Sequence, residues 1–115
     1  MRDLRKGRKL GREKGQRNAL LASLAVALVS HGKIKTTTAK AKELRPYVER
    51  LVTYAKKGGV AGSRLVGRTL PKMATQKLLR DIAPRYQERK GGYTRITHME
   101  ARKRDAAKIS FIEFV

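Results

Sequence analysis

The chain has 115 residues, with 29 Lys and Arg against 9 Asp and Glu, which gives a formal net charge of +20. This length suits one domain, a composition of 40% apolar and 5% aromatic residues allows a small aliphatic core, and the absence of Cys excludes disulfides and thiolate metal sites. A domain with this charge repels itself in isolation, and its best complement is a nucleic-acid backbone, ahead of a membrane surface or an acidic protein.

Residues 1–17 are predicted to form a basic arm in which glycines separate the charged residues. The arm has too little apolar surface to offset the entropy of ordering, so we expect it to become ordered on RNA. The alternative is a tail that only aids solubility. The candidate contact residues of the arm are Arg2, Arg5, Lys6, Arg8, Lys9, Arg12, Lys14 and Arg17.

The apolar run 19–29 follows the arm and superficially resembles the core of a signal peptide. The basic segment before it is too long for a signal, no small-x-small cleavage site follows, and the run is shorter than the roughly 20 residues of a membrane span. The run instead predicts a buried helix over 16–30, with Leu21, Leu24 and Leu28 on one face, and no membrane partner.

A strand and a second helix come next. The alternation of Lys with β-branched residues over 33–38 predicts a strand, after which Thr38 caps a helix that runs to about Lys57. An apolar stripe keeps its phase across Pro46, which favours one kinked helix over two separate helices. The stripe consists of Leu44, Val48, Leu51 and Ala55.

In the second half of the chain, the apolar residues change from helical spacing to the alternation that is typical of strands. A weak helical pattern over 61–70 contains Gly62 and Gly67, and a better helix opens at Pro71 and closes before Pro84. The segments 93–99 and 108–115 predict an antiparallel pair of strands, and the second is apolar on both faces, as is typical of a central strand.

The element order therefore predicts an α+β fold. We expect one two-layer domain over 18–115, in which helices cover one face of a small three-stranded mixed sheet, preceded by the basic N-terminal arm.

No catalytic or metal-binding pattern is recognisable. His31 and His98 have no companions at metal-ligand spacing, no two acids form a convincing acid–base pair, and no Ser has a nucleophile signature. The glycines of 58–62 follow a helix and lack the Lys-Ser/Thr ending of a phosphate loop. We therefore expect no enzymatic activity, cofactor, metal or small-molecule substrate.

Beyond the arm, basic residues gather in three further clusters near loops and helix ends. Two adjacent glycines in the third cluster allow either close backbone approach to RNA or a plain turn, and Tyr93 is either a stacking ring or a core residue. The second cluster contains His31, Lys33, Lys35, Lys40, Lys42 and Arg45; the third contains Arg85, Arg89, Lys90, Gly91, Gly92, Tyr93, Thr94 and Arg95; and the fourth contains Arg102, Lys103 and Arg104.

Four strings occur in an order that resembles the bacterial large-subunit ribosomal protein seventeen family across essentially the whole chain. They are Gly-Arg-Lys-Leu at 7–10, Thr-Thr-Thr-Ala-Lys-Ala-Lys-Glu-Leu-Arg-Pro at 36–46, Gly-Gly-Tyr-Thr-Arg-Ile at 91–96 and Arg-Asp-Ala-Ala at 104–107. The resemblance implies a cytoplasmic ribosomal protein that binds 23S ribosomal RNA near the peptide-exit side, among neighbouring large-subunit proteins. It also implies a three-stranded mixed sheet, and an RNA-facing surface made or shaped by Arg8, Lys9, Lys40, Lys42, Arg45, Gly91, Gly92, Tyr93 and Arg95.

Three other classes remain as alternatives. A nucleoid-type DNA architectural protein would bind duplex DNA as tightly as ribosomal RNA and would usually show a dimer seam, which is not recognisable. An RNA-processing enzyme would need an acid, base or metal cluster. A cationic membrane peptide would carry its charge along one helix face, whereas here the charge lies beside the apolar helix.

Overall fold

The computed structural model describes residues 13–115, and its first element is helix α1 (Lys14–His31). The helix begins two residues before the predicted start, so residues 14–17 of the predicted arm belong to its first turns. It ends at Gly32, whose φ of 78° is left-handed and whose N–H donates to the Leu28 carbonyl at 2.7 Å. Leu28 is fully buried, while Leu21 and Leu24 are half-buried against the core.

Strand β1 (Lys33–Thr37) leads directly into helix α2 (Thr38–Lys57). The predicted cap at Thr38 is wrong by one residue, because the Thr37 hydroxyl accepts the Lys40 N–H at 3.4 Å while Thr38 lies inside the helix. Thr38 is instead buried, and its hydroxyl shares a hydrogen bond of 2.7 Å with Ser110. The helix is continuous through Pro46, and the whole predicted apolar stripe is buried.

Helix α3 (Gly59–Gly67) and helix α4 (Lys72–Lys77) follow, and α4 continues as a π-helical turn over Leu78–Ile82 and a 3-10 turn over Ala83–Tyr86. The predicted helix between the two prolines is therefore present as α4 and the π-helical turn. The predicted end before Pro84 is wrong, because Pro84 lies at the start of the 3-10 turn, where a helix does not need its missing N–H. Its predicted inward residues, Ala74, Leu78 and Ile82, are all buried.

Gly62 is the residue that lets α3 approach α2 closely, because a Cβ at this position would lie 2.7 Å from the Tyr54 carbonyl oxygen. We expect Gly62→Ala to lower the free energy of unfolding by about 1–3 kcal/mol through overpacking against backbone. Gly67→Ala is the matched control, since a Cβ there meets nothing within 4 Å; it should raise stability by about 0.5 kcal/mol through helix propensity. Urea unfolding of both variants tests this, and changes of the same sign would contradict it.

Strands β2 (Thr94–His98) and β3 (Ile109–Phe114) complete a sheet of order β1-β3-β2. The prediction that the last strand is central is confirmed. The prediction of a mixed sheet is wrong, because β3 pairs antiparallel with both neighbours; β1 and β2 run in the same direction but β3 separates them. In the register, Ile112 lies between Ile34 and Ile96, and Glu113 lies between Lys33 and Arg95.

The sheet has one covered face and one open face, because alternate side chains of β3 point to opposite sides. Ser110 and Ile112 are buried on the side that meets α2, whereas Ile109 and Phe111 remain half-exposed on the other. Lys33, Lys35 and Arg95 share the open face by register. The predicted α+β class and the two-layer arrangement with helices on one face are thus confirmed for the described residues.

Candidate nucleic-acid interface

The second basic cluster lies at the passage from β1 into α2. Lys33 and Lys35 are exposed on the open face of the sheet, and the Lys33 ammonium lies 4.4 Å from the centre of the Phe111 ring. Lys40, Lys42 and Arg45 occupy the first turns of α2, where the backbone N–H groups add positive potential. His31 is exposed at the end of α1. Predicted cations from three elements are therefore close together in the fold.

The fourth cluster lies on the same surface as the second cluster, although the two were predicted as separate clusters. Residues 99–108 connect β2 to β3, and their position is fixed by backbone hydrogen bonds from Met99 to Ile109 (2.9 Å), from Arg102 to Ala107 (2.8 Å) and from Thr38 to Lys108 (2.9 Å). This connection therefore lies against the start of α2. Lys103 and Arg104 are exposed on it, and Arg102 is half-buried.

Two adjacent clefts open where the connection meets β1 and α2, and they share Thr37. The first has a volume of about 430 Å³ and contains Lys35, Lys40 and Arg102 in its lining. The second, of about 370 Å³, contains Lys42 and Lys108. Sequence reasoning missed Lys108 because it was assigned to the start of a strand; its place after a basic loop was the available signal. We call the five cations of the two clefts the edge cluster: Lys35, Lys40, Lys42, Arg102 and Lys108.

Local acids restrain some predicted contact residues. Arg45 pairs with Glu49 at 3.5 Å, Arg95 with Glu113 at 3.0 Å, and Arg102 with Asp105 at 3.6 Å. Each of these three Arg side chains is more than a third exposed to solvent, so the ion pairs contribute little to the stability of the fold. Their effect is to hold the side chains in defined places on the surface.

The fold leaves some residues of the third cluster exposed and buries others. Arg85, Arg89 and Lys90 are exposed, and Arg95 is exposed on β2. Gly91 and Gly92 have φ values of 152° and 63°, so both turn positions favour glycine. Tyr93 and Thr94 are each only 2% exposed, which favours the core alternative for Tyr93 and leaves its ring unavailable for stacking on a base.

Tyr93 and Thr94 fasten β2 to α2 through polar contacts. The Thr94 hydroxyl and N–H both donate to the Glu49 carboxylate, at 2.9 and 3.4 Å. The Tyr93 hydroxyl accepts from the Lys56 ammonium at 3.0 Å and donates to the Arg89 carbonyl at 3.2 Å. The motif Gly-Gly-Tyr-Thr-Arg thus contributes mainly to the shape that presents Arg89, Lys90 and Arg95.

Tyr86 supports the same corner from the helical side. Its ring lies 5.2 Å from that of Tyr93, centre to centre, and its hydroxyl donates to the Val115 carbonyl. Burial raises the pKa of the Tyr86 hydroxyl above its ordinary value of 10.0, so the group remains a donor at neutral pH.

The first cluster is only partly described. Lys14 and Arg17 lie at the start of α1, with Lys14 exposed and Arg17 half-buried. The other arm residues, Arg2, Arg5, Lys6, Arg8, Lys9 and Arg12, lie outside the described residues.

One polar group resembles a nucleophile site and is better explained as structure. His98 Nδ1 lies 3.1 Å from the Ser110 hydroxyl, which also bonds Thr38. Ser110 is 0% exposed, so its oxygen cannot meet a substrate; the three side chains join β2, β3 and the start of α2. Within residues 13–115, no three His, Asp or Glu side chains are grouped to hold a metal ion, and no helix is both long and apolar enough to cross a membrane.

Comparisons with known proteins agree with the resemblance in the sequence. The family model described as Ribosomal protein L17 matches residues 20–115. The chain is 54% identical over 109 residues to a protein of Campylobacter jejuni subsp. jejuni, covering 94% of this chain and 93% of that protein. Proteins of Wolinella succinogenes and Sulfurimonas denitrificans are 52% and 51% identical over 109 residues, covering 94% of each chain.

All three relatives carry the name large ribosomal subunit protein bL17. The matched region includes every strand, α2 to α4 and the edge cluster, so the similarity extends to the fold and to the basic surface together. The chain belongs to the ribosomal protein L17 family.

Proposed function

We propose that this protein is a structural constituent of the large ribosomal subunit and acts there by binding 23S ribosomal RNA, with no catalysis of its own. The names of its relatives support placement in that ribonucleoprotein, and hence in translation in the cytoplasm. The net charge of +20 supports a polyanionic partner. Neighbouring large-subunit proteins are expected as further contacts.

The observation that carries the proposal is the edge cluster. The fold brings Lys35, Lys40, Lys42, Arg102 and Lys108 from three separate chain segments to two adjoining clefts. Like charges do not gather for the stability of a free domain, because they repel one another. Their gathering is stabilising when phosphates lie between them and condensed counterions are released.

The rest of the interface follows from this centre. We propose that the contact extends over the open face of the sheet, which carries Lys33 and Arg95. It also includes the exposed residues Arg89, Lys90, Lys103 and Arg104. The part of the predicted arm that precedes α1 becomes ordered on the RNA, and Lys14 and Arg17 extend the contact from the first turns of that helix. Placement is then set by the shape and phosphate geometry of folded RNA rather than by a base code.

Sedimentation and binding measurements test the proposal. The purified protein should co-sediment with the large subunit on a sucrose gradient, and its affinity for large-subunit ribosomal RNA should fall by about 10³–10⁵ between 50 and 200 mM salt, if about 6–10 phosphates are contacted. Duplex DNA of equal length is the control. Equal affinity for DNA, with no co-sedimentation, would favour the nucleoid alternative and overturn the proposal.

A further inference from the structure

The first cleft of the edge cluster differs from a plain basic patch, because it combines apolar and cationic walls. It opens at the edge where β1 and β2 end, and its volume of about 430 Å³ falls within the range of about 300–1,000 Å³ that is typical of small-ligand sites. Its lining includes Lys35, Lys40, Met99, Glu100, Arg102 and Ile109.

The apolar part of the cleft is formed by Met99 and Ile109. The Met99 N–H donates to the Ile109 carbonyl, so the two residues are held side by side. Ile109 is half-exposed and Met99 is 43% exposed, although removing large apolar side chains from water is stabilising. A thioether is polarisable and adapts well to a flat aromatic surface.

The cationic part surrounds this apolar surface. Lys35 comes from β1, Lys40 from the first turn of α2, and Arg102 from the connection before β3. Arg102 is held in place by Asp105 and by backbone bonds on both its N–H and its carbonyl. A flat apolar group joined to a phosphate fits this combination, and in RNA that group is a nucleotide.

The nucleotide must be unpaired to enter. A base within a duplex is stacked and paired, whereas bases in loops and bulges can be splayed out and received by a protein surface. Resting on the proposed RNA-binding function, we propose that this cleft receives one unpaired nucleotide of the RNA, with its base against Met99 and Ile109 and its phosphate among Lys35, Lys40 and Arg102.

Glu100 gives the cleft a preference among bases. A carboxylate accepts hydrogen bonds and donates none. The Watson–Crick edge of guanine presents two neighbouring N–H donors, whereas uracil presents one donor between two carbonyl oxygens that a carboxylate repels. The cleft therefore favours an unpaired guanosine over an unpaired uridine.

Three stem–loop RNAs of otherwise identical sequence test the proposal, one with a bulged guanosine, one with a bulged uridine and one fully paired. The full-length protein should bind the guanosine bulge about tenfold more tightly than the paired stem, as measured by fluorescence anisotropy. Met99→Ser should remove this preference. Met73→Ser is the matched control, because Met73 is 84% exposed on α4 and outside this cleft, and it should leave the preference unchanged.

Glu100→Gln separates base selection from cleft binding. It should reduce the preference for the guanosine bulge over the uridine bulge several-fold and keep the preference for a bulge over the paired stem. Thermal unfolding of each variant checks that the fold is retained.

The outcomes distinguish this inference from the function on which it rests. Equal binding of bulged and paired stems, or a loss for Met99→Ser that is uniform over the three RNAs, overturns the nucleotide site and leaves RNA binding in place. Equal binding of the bulged and paired stems would favour a side chain of a neighbouring protein as the occupant of the cleft. Binding of every stem no tighter than DNA of the same sequence overturns the proposed function itself.

Discussion

Replacing Lys35, Lys40 and Lys42 together by Ala should lower the affinity for large-subunit ribosomal RNA by about a hundredfold near physiological salt. Each Lys that contacts a phosphate contributes about one unit to the slope of log affinity against log salt, so the slope should become shallower by about three. Filter binding over a salt series gives both quantities. The substitutions lie at the surface or in a cleft, and each should change stability by no more than about 0.5 kcal/mol.

A second triple variant controls for total charge. Arg64, Lys72 and Arg80 are exposed on α3, α4 and the π-turn, and none of them lines either cleft of the edge cluster. Replacing these three by Ala removes the same charge from another surface. It should weaken binding only slightly, through the general field of the protein. If both triple variants lose affinity equally, charge alone determines binding and the proposed location is wrong.

The helices were predictable because their signals are local. The stripe Leu44, Val48, Leu51 and Ala55 repeats at helical spacing, and this spacing holds across Pro46 in the continuous helix. The cap was misplaced by one residue because three consecutive Thr residues, 36–38, can each accept an N–H. Only the backbone of the folded chain decides that Thr37 does so.

The sheet was predictable in its strands and in its centre, but not fully in its directions. Apolar residues on both faces of 109–114 indicated a central strand, and the hairpin-like order of β2 and β3 indicated antiparallel pairing. The connection from β1 to β3 runs through all later helices, and nothing local in a connection of that length fixes the relative direction of its strands. The antiparallel pairing of β1 with β3 is a tertiary result.

The candidate interface was predictable in composition and not in grouping. Lys35, Lys40 and Arg102 each stood out as basic residues near a turn, yet Arg102 is far from the other two in sequence. Their meeting depends on Thr38 N–H bonding the Lys108 carbonyl, a contact between distant segments. Lys108 lies on the same connection as Arg102, and its assignment to the start of a strand concealed its place in the cluster.

Tyr93 is one of the positions for which the sequence left two roles open, and its replacement should have the largest effect on stability. Tyr93→Ala should lower the free energy of unfolding by about 3–5 kcal/mol, since it removes a buried ring that packs on Tyr86 and lies 5.0 Å from the Lys56 ammonium. Urea unfolding measures the loss. Tyr54→Ala, at a half-buried tyrosine of the same helix that carries Lys56, should cost less.

Tyr93→Phe separates the two roles, because it keeps the ring and removes only the hydroxyl that bonds Lys56 and Arg89. It should lower stability by about 0.5–1.5 kcal/mol and leave the affinity for ribosomal RNA unchanged when the folded protein is assayed. A core ring acts on binding only by holding Gly91, Gly92 and the cations beside them in place. If Tyr93→Ala instead stays as stable as the parent chain and selectively loses RNA affinity, the ring contacts RNA and the core role is wrong.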